Sequence, residues 1–465
     1  MTDPSNESAW TELRALVRLS LPISGAQLGL VSMGLVDTAI VGHVSVADLA
    51  AVAIGRSIMF GICSVGMGLG AAIDPLASQA VGAGKPERAY QALRAGLIAS
   101  ALITLPTIVL AFVATLGLVP LGVDPAIVPR VHAFLIGNAP SVLGFLAFLV
   151  GKSFLQAHGA TRPALVASLV ANIVNAVVCS LLVRGDDALR AIGLPAIGLP
   201  SLGALGAGIA SSVGSLILAA IVLQAARTFR PVVITPAPEV PPEAAVRGEG
   251  DPISLMKVMR LGLPVGLQFL AEIGVFSLVA LLAGRLGTSV LSAHQIAVGL
   301  ASFTFMGALG VGGATAVRVG HAVGAGRSPK RSGLVGLGLG AAVMSVGALV
   351  FALIPRPLIG VFTTDPEVIE IGARLLRIAS LFALFDGIQA VASGALRGAG
   401  DVRFPFLANL GAHWFIGLPI ALVLGFGLDL GAVGLWWGLT AGLVSVALLL
   451  SARFVYIVRR GIARV

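Results

Sequence analysis

The chain has 465 residues, of which 57% are hydrophobic and only 11% are charged, and its formal net charge is +9. Soluble proteins are about one quarter charged, so this composition excludes a cytosolic globular enzyme, a disordered protein and a secreted disulfide scaffold. The class that remains is a polytopic membrane protein. The two cysteines, Cys63 and Cys179, lie in apolar stretches and do not indicate a disulfide framework.

The polar N-terminal stretch MTDPSNESAWTELRALVRLS lacks the features of a cleaved signal peptide, so we expect the first apolar segment to act as an uncleaved insertion signal. Twelve apolar segments are present along the chain. They are too long and continuous for β-barrel strands, so each predicts a membrane-spanning helix and the fold class is all-α. The approximate limits of these spans are residues 16–42, 49–75, 94–118, 131–152, 164–184, 203–224, 260–284, 290–317, 333–354, 371–395, 404–424 and 432–456.

The basic residues are distributed unevenly between the loops. With the N-terminus inside, 22 of the 30 Lys and Arg residues fall in cytoplasmic segments, seven fall in or beside external segments, and Arg56 lies within a span. Cytoplasmic loops carry an excess of Lys and Arg, which predicts that both termini lie in the cytoplasm. We expect an integral protein of the plasma (inner) membrane. Topology thus accounts for the positive charge, and no nucleic-acid partner is predicted.

The two halves of the sequence repeat each other. A shift of 242 residues places Val81–Gly84 on the identical tetrapeptide Val323–Gly326. The repeat predicts an N-terminal lobe at residues 1–224 and a C-terminal lobe at 260–465, each of six helices, joined by a Pro-rich cytoplasmic linker at 225–259. Because six is even, both halves start on the same side, which predicts a pseudo-two-fold axis along the membrane normal and a site between the lobes near the midplane.

Several segments carry a family resemblance. The first half contains LPISGAQLGLVSMGLVDTAIVGH, and the second contains SAHQIAVGL, ATAVRVGHAVGAG and FDGIQAVASGALRGAGD. In this order and spacing they resemble the multidrug and toxic compound extrusion (MATE) family, in its NorM-like branch, over about residues 13–450. The resemblance implies a monomeric two-lobe exporter of amphipathic, often cationic compounds, driven by a proton or sodium gradient without another cofactor.

Acidic side chains within the spans are the leading candidates for function, because an ionisable group near the bilayer centre is costly. Glu272 in the seventh span and Asp386 in the tenth are predicted to lie at depths within about 5 Å of each other, at 1.5 Å rise per residue. Two carboxylates at one depth can share a proton or bind a sodium ion through their oxygens. The resemblance also matches both to acidic positions of the NorM-like branch.

Asp37, near the outer end of the first span, has two possible roles. Arg56 in the second span is predicted at a similar depth, so the two residues could form a structural ion pair. The resemblance instead matches Asp37 to an aspartate tied to cation coupling in the N-terminal lobe. It also matches Asn175 and Ser211 to polar residues near that aspartate, although such groups also serve as hydrogen-bonding contacts between membrane helices.

Two further residues, Gln295 and His294, complete the predicted sites. Gln295 resembles a residue that lines the C-terminal cavity, and its neighbour His294 is either a second lining residue or a structural hydrogen-bonding group. Asp74, close to the cytoplasmic end of the second span, is expected to be solvated.

Cys179 stands where the family often has Asp or Asn, which removes an oxygen ligand and favours protons over sodium in the N-terminal lobe.

Other functions are less compatible with the sequence. A flippase for lipid-linked precursors, which related two-lobe folds can be, should have a strongly cationic central cavity, whereas the midplane charges here are mainly acidic. An enzyme is not predicted, because no HExxH, GxSxG, paired CxxC or Walker motif is present. A passive channel is disfavoured by the asymmetry of the acids, since Asp37 and Glu272 have Val279 and Leu30 as their repeat equivalents.

Overall fold

The computed structural model describes residues 8–191, 193–229 and 253–465, and within these ranges every regular element is helical. Twelve long helices account for the twelve predicted spans. They are α1 (Ala9–Gly42), α2 (Val46–Gly82), α3 (Pro86–Thr115), α4 (Val128–Ala157), α5 (Arg162–Arg184), α6 (Gly203–Ala226), α7 (Leu255–Arg285), α8 (Thr288–Gly324), α9 (Lys330–Leu353), α10 (Pro366–Gly398), α11 (Arg403–Gly427) and α12 (Gly431–Arg460).

Eleven of these helices are long and apolar enough to cross a membrane, so the chain is an integral membrane protein. α10 is not among the eleven, although it is 33 residues long. Six charged side chains lie along it: Glu367, Glu370, Arg374, Arg377, Asp386 and Arg397. Most helices extend beyond the predicted spans, because polar residues at their ends continue the helix past the apolar segment.

The first six helices pack together, and so do the last six, which we call the N-terminal and C-terminal lobes. Within the N-terminal lobe α4 packs against α2 and α6, and within the C-terminal lobe α10 packs against α8, α9 and α12. Glycine permits the closest approaches. A side chain at Gly208 would overlap the Phe134 carbonyl oxygen, and one at Gly394 would overlap the backbone of Gly312. Small residues that let backbones meet are typical of membrane helix packing.

The lobes meet mainly through α1 and α2 on one side and α7 and α8 on the other. We call the end of the bundle where α1 begins and α12 ends the terminal end, and the opposite end the distal end. Gly68 of α2 faces Gly262 and Gly266 of α7. A side chain at Gly68 or Gly266 would collide with the facing backbone, and one at Gly262 would be tightly confined by it. The lobes therefore touch backbone to backbone in the half of the bundle nearer the terminal end.

α11 departs from regular α-helical geometry. Residues Gly411–Gly417 and Val423–Gly427 are π-helical. Such turns are rare and often occur at functional sites. In this helix the first of them contains Trp414, whose indole N–H donates to the Ala271 carbonyl oxygen of α7 at 3.1 Å. This hydrogen bond therefore joins the π-helical turn to α7 at the residue next to Glu272.

The distal loop between α5 and α6 is organised by one carboxylate. Asp186 accepts hydrogen bonds from the backbone N–H groups of Leu199, Ile197 and Gly198 at 3.0–3.1 Å. These bonds, that from Leu199 first, hold the pKa of Asp186 below its usual range. The loop thus joins the distal ends of α5 and α6, the helices that carry Asn175 and Ser211.

Most of the predicted linker lies outside the described residues, so its boundaries remain a prediction. α6 is followed by the short 3-10 helix Arg227–Phe229, and α7 begins at Leu255. The linker prolines on which the prediction depends all fall in the stretch that is not described: Pro231, Pro236, Pro238, Pro241, Pro242 and Pro252.

Candidate functional site

The N-terminal lobe buries Asp37, with only 1% of the residue exposed. Arg56 of α2 donates to Oδ2 of Asp37 at 3.1 Å, and Ser211 of α6 donates to the same oxygen at 3.0 Å. Arg56 also donates to the carbonyl oxygen of Gly34, which ties α2 to α1. The structure therefore brings together three residues that the sequence marked as candidates, and it gives Asp37 an ion-pair partner.

The other face of the same carboxylate has a different environment. Asn175 and Cys179, one turn apart on α5 and both fully buried, lie beside Asp37. Within the described chain, Oδ1 of Asp37 and both amide atoms of Asn175 have no hydrogen-bond partner. Buried polar atoms are normally paired, because an unpaired one costs about 1–3 kcal/mol. This face thus presents oxygen atoms and a thiol that can receive a proton or a small cation.

The C-terminal lobe holds the second acidic group. Asp386 is 7% exposed on α10, and Glu272 on α7 is half-buried and lies within electrostatic range of it. No basic side chain of the described chain neutralises either carboxylate. The structure thus places both predicted acids in one region of the C-terminal lobe, and two acids within electrostatic range that lack a neutralising cation favour binding of a proton or a cation.

Further polar residues near this pair were not identified from the sequence. Gln389, one turn after Asp386, is buried and donates to Oδ1 of Asn409 in α11 at 3.5 Å. His413, one turn after Asn409, is also buried, and neither of its ring nitrogens has a partner among the described residues. All three stand in apolar spans, so their polarity was the available signal. The Gln389–Asn409 hydrogen bond thus joins α10 to α11 one turn from Asp386.

The adjacent residues His294 and Gln295 have different environments. His294 is 2% exposed, and its Nδ1 accepts a hydrogen bond from the Trp436 indole N–H at 3.2 Å. Its ring also packs at an angle against that indole, with centroids 5.9 Å apart. Gln295, by contrast, is exposed. The geometry therefore favours the structural role for His294, between α8 and α12, and leaves Gln295 accessible.

A set of inter-lobe contacts at the terminal end was also missed. Glu12 at the start of α1 is paired with Arg318 near the end of α8, and the carboxylate is 3% exposed. Gln79 Nε2 donates to the Gly398 carbonyl oxygen at 3.0 Å, and Val465 donates its backbone N–H to Gln79 Oε1 at 2.8 Å. These pairs are separated by hundreds of residues in sequence, and only folding brings them together.

Asp74 belongs to this set, and the expectation that it is solvated is wrong. It is 6% exposed because α2 extends past it to Gly82 and packs against the other lobe. Its Oδ2 lies 3.4 Å from Nη1 of Arg397, across the lobe interface. Lys152 of its own lobe is within electrostatic range and donates to Oε1 of Gln27 at 3.2 Å. Asp74 thus lies between one cation of each lobe.

Among the described residues, the side-chain hydrogen bonds and ion pairs that join the lobes all lie in the terminal half of the bundle. The lobes are therefore held together at the terminal end in this structure.

We expect Arg397→Ala to weaken the contact between the lobes at the terminal end. Removing one partner of a buried ion pair costs several kcal/mol, and even about 1 kcal/mol changes an equilibrium roughly fivefold. The measurement is labelling of Ser78→Cys, a fully buried interface position, by a membrane-impermeant maleimide in a background without Cys63 and Cys179. Labelling should become at least about fivefold faster.

Arg403→Ala is the matched control for this experiment, since Arg403 is an exposed arginine at the same end of the bundle. Equal acceleration by Arg403→Ala, or no acceleration by Arg397→Ala, would contradict a closing role for the Asp74–Arg397 pair.

Comparison with known proteins identifies the family. The MatE family model matches residues 22–181 and again 264–423, two copies that begin 242 residues apart, as in the sequence repeat. The chain is similar to the probable multidrug resistance protein NorM of Rhodopseudomonas palustris, with 36% identity covering 99% of this chain and 95% of that protein. The protein of the same name from Deinococcus radiodurans is 37% identical, covering 98% and 97%.

Solved structures share the fold. The eukaryotic MATE transporter AtDTX14 superposes with a TM-score of 0.81 at 23% identity, covering 98% of this chain and 99% of that one. The Vibrio cholerae MATE transporter VcmN, in its bent form, gives a TM-score of 0.80 at 21% identity, covering 97% and 98%. The predicted architecture of twelve helices in two lobes is thereby confirmed. The chain belongs to the MatE family of membrane transporters and is one of its NorM-like members.

Proposed function

We propose that this protein is a cation-coupled antiporter that exports amphipathic, often cationic compounds across the plasma (inner) membrane by alternating access. The observation that carries the proposal is that Glu272 and Asp386, two carboxylates within membrane-spanning helices, lie within electrostatic range of each other and are neutralised by no basic residue of the described chain. Such groups are costly in a bilayer and mark ion or substrate pathways. The relatives are named multidrug resistance proteins, which supports the same class of substrate.

Coupling then follows because the cation and the drug compete for the two acidic residues. When a proton or cation occupies the pair, the local negative charge falls and a cationic drug is bound less well. When the pair is ionised, the drug is favoured. If the two ligands also prefer different lobe arrangements, the inward cation gradient drives export through that difference in affinity. No cofactor other than the coupling cation is required, and one chain carries both lobes, so we propose a monomer.

The orientation of the transporter is part of the proposal. With both termini in the cytoplasm, as the basic residues indicate, the terminal end is cytoplasmic. The inter-lobe contacts of Glu12 and Asp74 then close the cytoplasmic side, and the arrangement described here is the one that releases a drug outward.

A cavity between the lobes suits the apolar part of such a substrate. It has a volume of about 570 Å³ and lies between α2, α3 and α7, with walls formed mainly by aliphatic side chains such as Ile62, Leu110 and Leu270. Ligand pockets are typically about 300–1,000 Å³ and mostly apolar. An amphipathic compound could place its apolar part here, where the wall residue Leu270 is two residues from Glu272 on the same helix α7.

The flippase alternative has less support. Arg56 is held by Asp37 and Gly34, so it is not a free cation for an anionic headgroup. The remaining midplane candidates, Glu272 and Asp386, are acidic.

We propose the proton as the coupling ion. Sodium prefers several oxygen ligands, and a thiol is a poor partner for a hard cation. Beside Asp37 the chain supplies Asn175, Ser211 and the thiol of Cys179. A proton needs only one carboxylate, so this site suits a proton better than sodium, whereas the C-terminal acidic pair can hold either ion.

Drug efflux from proteoliposomes tests both the function and the ion. With an imposed pH gradient in sodium-free buffer, we expect the purified protein to drive efflux, and collapse of the gradient by an ionophore should stop it. No efflux under a pH gradient or under a sodium gradient would reject the antiporter function. Efflux driven by sodium alone at equal pH would overturn proton coupling. In that case Cys179→Asp should strengthen sodium dependence if the N-terminal lobe carries the ion, and should have no effect if the C-terminal pair does.

A further inference from the structure

A second, separate cavity opens at the terminal end, between the first turns of α9 and the last turns of α12. Its volume is about 230 Å³, too small for a typical drug pocket. The residues that line it are Lys330, Leu334, Phe454, Val455, Val458 and Arg459.

Charge and apolarity are ordered along this groove. Lys330 is the first residue of α9 and Arg459 the last but one of α12, so both lie at the bundle end, and both are exposed. Leu334 and Val455 lie four residues further into their helices, about 6 Å deeper at 1.5 Å per residue. The groove therefore has two cations at its mouth and apolar walls towards the membrane interior.

Neither cation is neutralised by a residue that the structure describes. Among the described residues, the side chains of Lys330 and Arg459 form no ion pair, whereas the nearby Arg453 is paired with Asp401 at 2.8 Å. The base of the groove is fixed by the ring of Phe454, which packs against Gly333 so closely that any side chain there would collide with it. The groove is thus a formed feature of the α9–α12 contact.

We propose that this groove binds an anionic phospholipid, with the phosphate between Lys330 and Arg459 and the start of an acyl chain along Leu334, Val455 and Val458. Basic pockets between membrane helices bind anionic headgroups. Two uncompensated cations favour a lipid with net negative charge over a zwitterionic lipid, whose ammonium group would be repelled. This proposal does not depend on the transport function.

The position of the groove links lipid binding to the contacts between the lobes. The residues between Lys330 and Leu334 include Arg331 and Ser332, which lie beside Glu12 of the other lobe. Glu12 in turn pairs with Arg318. A lipid bound to Lys330 and Leu334 therefore also holds Arg331 and Ser332 of the same helical turn beside Glu12. This contact helps to keep the lobes together at the terminal end.

The test is lipid binding to the full-length purified protein, measured by native mass spectrometry during titration with phosphatidylglycerol or phosphatidylcholine. The wild type should retain one phosphatidylglycerol with higher affinity than any phosphatidylcholine, and excess inorganic phosphate should not displace it. Lys330→Ala combined with Arg459→Ala should weaken that affinity about 30-fold, because each basic residue near the surface contributes about a factor of five.

Two further variants separate a site from general surface attraction. Arg94→Ala combined with Arg162→Ala removes the same charge from exposed positions of the N-terminal lobe and should leave the affinity unchanged. Val455→Trp keeps every charge but fills the groove, and it should weaken phosphatidylglycerol binding. Wild-type affinity in the Lys330/Arg459 variant, equal loss in the Arg94/Arg162 variant, or displacement by inorganic phosphate would each overturn the proposal.

Discussion

Glu272→Gln and Asp386→Asn should each reduce gradient-driven drug efflux to background while the protein still folds and inserts. Both replacements keep the shape of the side chain but remove its negative charge and its ability to bind and release a proton. Because an ionised carboxylate in a bilayer is costly, loss of the charge should leave the melting temperature unchanged or slightly raised. Efflux from proteoliposomes and thermal melting of the purified variants measure the two effects.

Glu370→Gln is the matched control for this pair. Glu370 is on the same helix α10 as Asp386, but it is partly exposed near the distal end and paired with Arg356 at 2.7 Å. Its replacement should leave efflux close to the wild-type rate. Full efflux by both Glu272→Gln and Asp386→Asn, at normal expression, would contradict the proposed role of this pair.

The double variant tests whether the two acids act together. If Glu272 and Asp386 share one proton or cation, the first replacement already removes the site, and the second should cost little more. Independent action would instead give losses in cation binding that add. Direct measurement of proton release on drug binding, in the single and double variants, distinguishes these outcomes.

The second large effect is expected at Asp37. Asp37→Asn should abolish export but change the free energy of unfolding by no more than about 1 kcal/mol, the usual contribution of one hydrogen bond. The amide can still accept from Ser211, and Arg56 keeps the Gly34 carbonyl as an acceptor. Arg56→Gln should be the more destabilising change, because it leaves the Asp37 carboxylate buried without its cation.

Asp48→Asn provides the comparison for Asp37→Asn. Asp48 also pairs with an arginine, Arg130, at 3.1 Å in the same lobe, but at the more exposed distal end. We expect this variant to transport normally. If Asp37→Asn proves as unstable as Arg56→Gln, Asp37 is a structural partner and the coupling role fails. Thermal melting and efflux on all three variants decide the matter.

The sequence alone was sufficient for the spans, the repeat and the acidic candidates. A span is a local property, since about twenty consecutive apolar residues cross a bilayer whatever their neighbours. Depth follows from counting residues along a helix, which is why Glu272 and Asp386 could be predicted to lie at a similar depth. The offset of 242 residues between the halves was likewise visible in a single tetrapeptide, Val81–Gly84, and in the family match.

The direction in which a side chain points was decided by tertiary structure. His294 and Gln295 are neighbours in sequence, yet one is enclosed against Trp436 and the other is exposed. Asp74 was expected to be solvated because it lies near a span end, but packing of the opposite lobe buries it. Which face of a helix is covered depends on its neighbours, and hydropathy along one span does not contain that information.

The sequence by itself therefore determined the number of helices, their depth and the acids within them. The tertiary structure decided which charges meet, since Glu12 and Arg318 are 306 residues apart and become partners only when the lobes touch. It also decided which end of the bundle is closed. The physical reason is that apolar length is a property of one segment, whereas an ion pair or a closed interface is a property of two packed surfaces.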